Sequence, residues 1–173
     1  MNPSIYWITG LPAAGKTTLA LALAEGLERA GCRVGVLDGD ELRKGLCSDL
    51  GLSASDRTEN IRRAGEVARL MVHNGLTVVC AFVSPFRADR QKVRALFAVG
   101  QFHEIYLSTS VQECARRDPK GLYALAKAGR VTGLTGWDSV YEAPDAPELQ
   151  YDTKTMATES IVREVLEARR GVE

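Results

Sequence analysis

Near the start of the chain, Gly10-Leu11-Pro12-Ala13-Ala14-Gly15-Lys16-Thr17-Thr18 fits the pattern G-x-x-x-x-G-K-[ST] at every fixed position. Gly10 and Gly15 let the backbone curl so that successive N–H groups, and the positive end of the helix that follows, point at an anion. Lys16 adds a mobile cation for the β- and γ-phosphates of a nucleotide, and the Thr17 hydroxyl is a ligand for Mg²⁺. The chemistry indicated is ATP-Mg²⁺ binding by the whole of Gly10 to Thr18. Further along, Asp38-Gly39-Asp40 offers two carboxylates for metal-water ligation or general-base work. Capping of a following helix accounts well for Asp40 and poorly for Asp38. Arg57 and Asn60, three apart, are neighbours on a helix, and with Arg62, Arg63 and the earlier Arg43 they make a second anion site credible. Ser84 stands either to touch a phosphoryl group or to cap a helix, and Arg116, Arg117 and Lys120 crowd a turn.

These residues need a scaffold that delivers them to one place. Ser4 to Thr9 is a short apolar run entering the loop, and Leu19, Leu23 and Leu27 recur at helical spacing beyond it, so strand, loop and helix coincide. Helix 16–30 stops at Gly31, and a second strand, 33–37, delivers Asp38. A helix runs from Asp56 to Asn74-Gly75. The β-branched run 76–83 reads as a central parallel strand ending at Ser84. A helix over 87–98, a strand over 102–107, a short helix over 122–128, a strand over 149–151 and a closing helix capped by Thr158 complete the pattern. Side chains at the carboxyl ends of parallel strands meet beside the loop. The fold expected is a three-layer α/β P-loop kinase fold, a mostly parallel five-stranded sheet in one domain over 1–173. The glycine- and proline-broken, basic stretch at about 117–147 reads as a lid.

Composition narrows the partners. Lys plus Arg and Asp plus Glu both number 22, so no net positive field favours nucleic acid, and a small molecule is the expected partner. Cys32, Cys47, Cys80 and Cys114 form no C-x-x-C pair and read as reduced thiols. No stretch approaches a membrane span and no charged leader precedes the first strand, so a cytoplasmic protein without a membrane partner is expected. No N-K-x-D element follows strand 102–107, which disfavours a regulatory GTPase.

In order, the loop, Asp38-Gly39-Asp40 with Arg43, Asp56-Arg57-Thr58-Glu59-Asn60-Ile61-Arg62-Arg63, Phe82-Val83-Ser84-Pro85-Phe86-Arg87, Arg117-Asp118-Pro119-Lys120-Gly121-Leu122-Tyr123, Thr135-Gly136-Trp137-Asp138 and Tyr141-Glu142-Ala143-Pro144 closely resemble the adenylyl-sulfate kinases. The resemblance spans about 4–153. It implies transfer of the γ-phosphoryl of ATP to the 3′-hydroxyl of adenosine 5′-phosphosulfate in sulfate assimilation, with Mg²⁺ as cofactor, by a cytoplasmic homodimer. It assigns catalysis to Lys16, Asp38 and Ser84, with Asp38 orienting or deprotonating the 3′-hydroxyl and Asp40 beside it. Arg43, Arg57 and Asn60 would grip the acceptor, while Arg117 on the ATP side and Lys120 on the acceptor side would close over the nucleotides with the lid. Ser84 matches a serine treated in the family as a phosphoserine intermediate, whereas two facing anion sites suit direct transfer with Ser84 as a hydrogen-bond donor. Leu134 stands where the lid usually carries a phenylalanine that stacks on the acceptor's adenine, followed by Trp137, so the stacking is either lost or taken over by Trp137. Two other readings share the loop: another small-molecule P-loop kinase, and a nucleotide-binding regulator without turnover.

Overall fold

The computed structural model describes residues 3–170. Its first strand, β1 (Ile5–Gly10), is buried at every position because neighbours cover both of its faces. Alternate side chains therefore enter two separate cores. Tyr6 and Ile8 join Leu19, Leu23, Leu27, Ile105 and Ile161 on one face. Ile5 and Trp7 join Ile61, Ala64, Ala68, Val78, Phe82 and Val93 on the other.

The elements between and beyond follow in alternation. After β1 come α1 (Lys16–Arg29), β2 (Val34–Asp38), α2 (Gly39–Lys44), α3 (Ala54–His73), β3 (Thr77–Ala81) and α4 (Arg87–Arg94). Then follow β4 (Phe102–Leu107), α5 (Val111–Arg117), α6 (Leu122–Lys127), β5 (Leu149–Tyr151) and α7 (Thr158–Arg170). The sheet order is β2-β3-β1-β4-β5, and all four pairings are parallel, where the sequence predicts mostly parallel. α1 packs against α7 on one side of the sheet, and α3 against α4 on the other, giving three layers. Each of Leu19, Leu23 and Leu27, fully buried on α1, contributes about 1.5–3 kcal/mol of burial free energy.

Several boundaries differ from those predicted, for local reasons. α3 begins at Ala54 rather than Asp56, because the Ser53 hydroxyl accepts the Asp56 N–H and caps the helix earlier. α4 ends at Arg94 rather than 98: Leu96 and Phe97 bond back three residues, tightening the chain into turns. α7 starts at Thr158 itself, so the predicted cap is the first residue of the helix. The crossover places the carboxyl ends of β1, β2 and β3 side by side, which brings the loop, Asp38 and Ser84 to one edge.

Candidate active site

The loop leaves β1 over Gly10, where a β-carbon would stand 2.8 Å from the Leu107 carbonyl oxygen, and enters α1 over Gly15 at φ 98°. Only glycine meets both demands without strain. Pro12, Ala13, Gly15, Lys16, Thr17 and Thr18 line a cavity of about 550 Å³; Gly10, Leu11 and Ala14 do not reach its wall. Lys16 Nζ donates to the Leu11 carbonyl at 2.7 Å. Desolvation pulls its pKa down to about 8, opposed by Cys114, Asp38 and Asp40 and assisted by Lys120. An anion arriving in the cavity would favour the charged form and oppose that shift.

Asp38 does two jobs. Its Oδ1 accepts the Asp40 N–H at 2.8 Å and caps α2, while its Oδ2 accepts the Thr17 hydroxyl at 2.7 Å. The sequence assigns the cap to Asp40. The helix starts two residues earlier than that assignment requires, at Gly39 rather than Glu41, so the capping position falls on Asp38. Asp40 instead forms an ion pair with Lys120, reaching across from the segment before α6. The Thr17 hydroxyl and these carboxylates are hard oxygen donors, and Thr17 spends its proton on Asp38, leaving its lone pairs for a cation. That donor set fits Mg²⁺, which takes few protein ligands and completes its shell with water and phosphate.

The same cavity is lined by Arg43, Arg57 and Asn60, with Leu52, Ile61, Phe82 and Leu134. Asn60 is 4% exposed, and its Nδ2 has no hydrogen-bond partner. A buried amide donor left unsatisfied costs about 1–3 kcal/mol, so it marks where a ligand acceptor belongs. Arg57 donates to Thr135 Oγ1 (2.8 Å) and the Gly133 carbonyl (2.6 Å), and Arg43 to the Gly51 carbonyl (3.0 Å). Arg62 and Arg63 do not line it. Arg62 is held by Glu59, and Arg63 by Glu59 and Asp49, so of the predicted arginines the second anion site contains Arg43 and Arg57 alone. Leu134 reaches the cavity, but Trp137 does not. Trp137 is 48% exposed and lies edge-on to Tyr123, so it is not positioned to replace the stacking phenylalanine.

Ser84 lines the cavity, 2% exposed and at φ 39°. It is neither cap nor surface turn residue; α4 is preceded by Phe86 at the cap position. Its Oγ accepts the Trp7 Nε1–H at 3.1 Å and donates to Thr9 Oγ1 at 2.9 Å. Thr9 in turn donates to the Val83 carbonyl (2.8 Å), so at the 2.9 Å contact with Tyr141 the phenol is the donor. Arg90, buried and paired with Glu104, fixes the Ser84 carbonyl at 2.6 Å.

The phosphate loop, Asp38 and the Arg43, Arg57 and Asn60 side chains thus line one cavity. The family model described as Adenylylsulphate kinase matches residues 2–152. This chain belongs to the adenylylsulphate kinase family. It is 55% identical over 152 residues to an adenylyl-sulfate kinase of Shewanella pealeana, covering 88% of this chain and 74% of that one. It is 50% identical over 173 residues to the bifunctional enzyme NodQ of Azospirillum brasilense, of whose length it spans 28%. The structure of the Mycobacterium tuberculosis APS kinase CysC in complex with AMPPNP and APS is 38% identical, covers 98% of both chains and superimposes with a TM-score of 0.93.

In this kinase, Arg117 also lines the cavity, bonded to Glu113 (2.8 Å) and to the Thr153 hydroxyl (2.8 Å) and carbonyl (3.0 Å). The two guanidiniums of Arg116 and Arg117 hold the Glu113 carboxyl down at about 2, so it stays ionised as their anchor. Two residues that reach the loop escape sequence reasoning. Tyr123 donates its phenol proton to the Pro12 carbonyl at 3.0 Å, and Thr153 its hydroxyl proton to the Ala14 carbonyl at 2.9 Å. The one signal for Tyr123 is a hydroxyl-bearing aromatic inside an otherwise apolar turn of α6. Thr153 has none in the local sequence.

Proposed function

We propose that the cavity holds Mg-ATP against the loop and adenosine 5′-phosphosulfate against Arg43, Arg57 and Asn60, and that the kinase passes the γ-phosphoryl directly between them. The products are ADP and 3′-phosphoadenylyl sulfate. The observation that carries this reading is the continuity of one cavity from Lys16 and Thr17, past Asp38, to the unpartnered Asn60 amide. Asp38 takes the proton of the 3′-hydroxyl as that oxygen bonds to the γ-phosphorus and the bond to the ADP oxygen breaks. Lys16 and the loop N–H groups neutralise charge on the transferring group, which is most of what such a transfer requires. Thr17 and Asp38 would hold Mg²⁺, which would supply further neutralisation of phosphate charge.

Ser84 is read as a positioning residue rather than a phosphoryl carrier. Its single hydroxyl proton is committed to Thr9 and its oxygen is buried under Trp7, which supports a fixed side chain and not an activated nucleophile. The segment at about 117–147 acts as a lid. Three contacts support this: Lys120 with Asp40, and Gly133 and Thr135 with Arg57, each tying the segment to another cavity-lining residue, as a lid that keeps water from the phosphates would require. The family resemblance supports a single kinase domain working as a cytoplasmic homodimer. Among the described residues no helix is long and apolar enough to cross a membrane.

The test is ADP release from Mg-ATP with adenosine 5′-phosphosulfate as acceptor beside AMP, gluconate and shikimate. Turnover with the phosphosulfate alone is expected. Turnover with another acceptor overturns the substrate assignment, and ATP binding without turnover on any acceptor favours a regulator.

A further inference from the structure

We propose that Thr153, backed by Thr109, is a positioning residue for the donor nucleotide, locking the phosphate loop and Arg117 into one arrangement. The inference rests on the reading of this cavity as an ATP site. Thr153 lies just beyond β5, beside the loop, where the register pairs Tyr151 with Leu107 and so sets Thr153 opposite Thr109. All the hydrogen-bonding capacity of its hydroxyl is spent. The proton goes to the Ala14 carbonyl at 2.9 Å, and the oxygen accepts from Arg117 Nη1 at 2.8 Å and from the Thr109 hydroxyl at 2.8 Å. The direction of that last bond follows from proton count, since a hydroxyl with one proton already donated to Ala14 has none left for Thr109. Thr109, 2% exposed, closes the circuit by accepting the Thr153 N–H at 3.0 Å.

Packing adds to the bonding. Thr153 Cγ2 and Oγ1 both lie 3.7 Å from where a β-carbon on Gly15 would stand, so the side chain covers the loop at its entry to α1. The Ala14 peptide, the Gly15 turn and the Arg117 guanidinium thus share one anchor. None of these contacts touches Arg43, Arg57 or Asn60, and none involves Asp38. Thr153 therefore bears on the donor side of the cavity rather than on the acceptor or on Asp38.

The discriminating pair is Thr153→Val, which keeps the branched shape without donor or acceptor, and Thr153→Ser, which keeps the hydroxyl without the methyl. In T153V the KM for Mg-ATP is expected to rise about tenfold with kcat within about twofold and the acceptor KM unchanged, the pattern of lost uniform binding. T153S is expected to return the ATP KM to within about twofold of the parent. An unchanged ATP KM in T153V, or equal damage in T153S, overturns the proposal, the second outcome assigning the effect to the methyl. Should T153V fail to fold, Thr109→Val carries the test, with a smaller rise in the ATP KM expected and none overturning it. Calorimetric titration of the parent enzyme with Mg-ATP separates the two levels: absence of binding there refutes the ATP site itself, whereas binding equal in parent and T153V refutes only the role of Thr153.

Discussion

Replacing Asp38 with asparagine separates its two jobs. Asparagine caps a helix about as well as aspartate, and its side-chain oxygen remains available to the Asp40 N–H that Asp38 Oδ1 accepts at 2.8 Å. On the other side, the Thr17 hydroxyl that now donates to Asp38 Oδ2 at 2.7 Å can rotate and accept from the new amide. Exchanging that exposed charge-assisted bond for a neutral one costs at most about 1 kcal/mol, which lowers the melting temperature of a chain of this size by about 2–4 °C. The catalytic loss is far larger. A positioned base contributes about 10²- to 10⁴-fold, or about 3–5 kcal/mol of barrier, and asparagine cannot take the 3′-hydroxyl proton. The expected result in D38N is a kcat at least about 100-fold below the parent in a coupled ADP-release assay with both substrates saturating, not recovered by raised Mg²⁺, alongside a nearly unchanged melting temperature. A kcat within about twofold of the parent would reduce Asp38 to a helix cap and refute the reasoning. A large fall in melting temperature would refute the claim that the cap survives.

Two other outcomes follow from the same geometry. Asn60→Leu removes a buried amide whose Nδ2 has no partner in the free enzyme, so its melting temperature should hold or rise while the acceptor KM climbs about tenfold, and an unchanged acceptor KM would exclude Asn60 from the acceptor site. For Lys16, burial lowers the pKa from 10.5 to about 8, so between those values the unfolded chain holds more protons and this group makes the ligand-free enzyme more stable as pH rises. Nucleotide phosphates reverse the shift, so Mg-ATP binding should take up about 0.9 proton at pH 9 and about 0.1 at pH 7, read by calorimetry in buffers of different ionisation enthalpy; uptake independent of pH would contradict it.

Much of the site is legible in the sequence because it is local. The loop carries its own geometry, and apolar runs place the ends of β1, β2 and β3, with Thr9, Asp38 and Ser84 at or just beyond them, at one edge. What escapes is whatever depends on the exact position of a helix boundary or on partners distant in sequence. Whether Asp38 or Asp40 caps α2 turns on where the first helical residue falls. Arg62 and Arg63 look equivalent to Arg57 in a list of charges, yet their helical phase, the neighbouring Glu59 one turn away and, for Arg63, the more distant Asp49 draw them to another face. The commitment of Ser84 to Thr9 requires the parallel register that sets Ile8 beside Ala81. Thr153 becomes visible only once β5 is paired with β4.

The most direct measurement is a rapid-quench single turnover with ATP labelled at the γ-phosphoryl, in the presence of adenosine 5′-phosphosulfate. Label passing straight into 3′-phosphoadenylyl sulfate, with none retained on the protein at any time point, is the expected result. Label accumulating on Ser84 before product appears, or leaving as free phosphate while the acceptor is untouched, would contradict direct transfer between two facing sites.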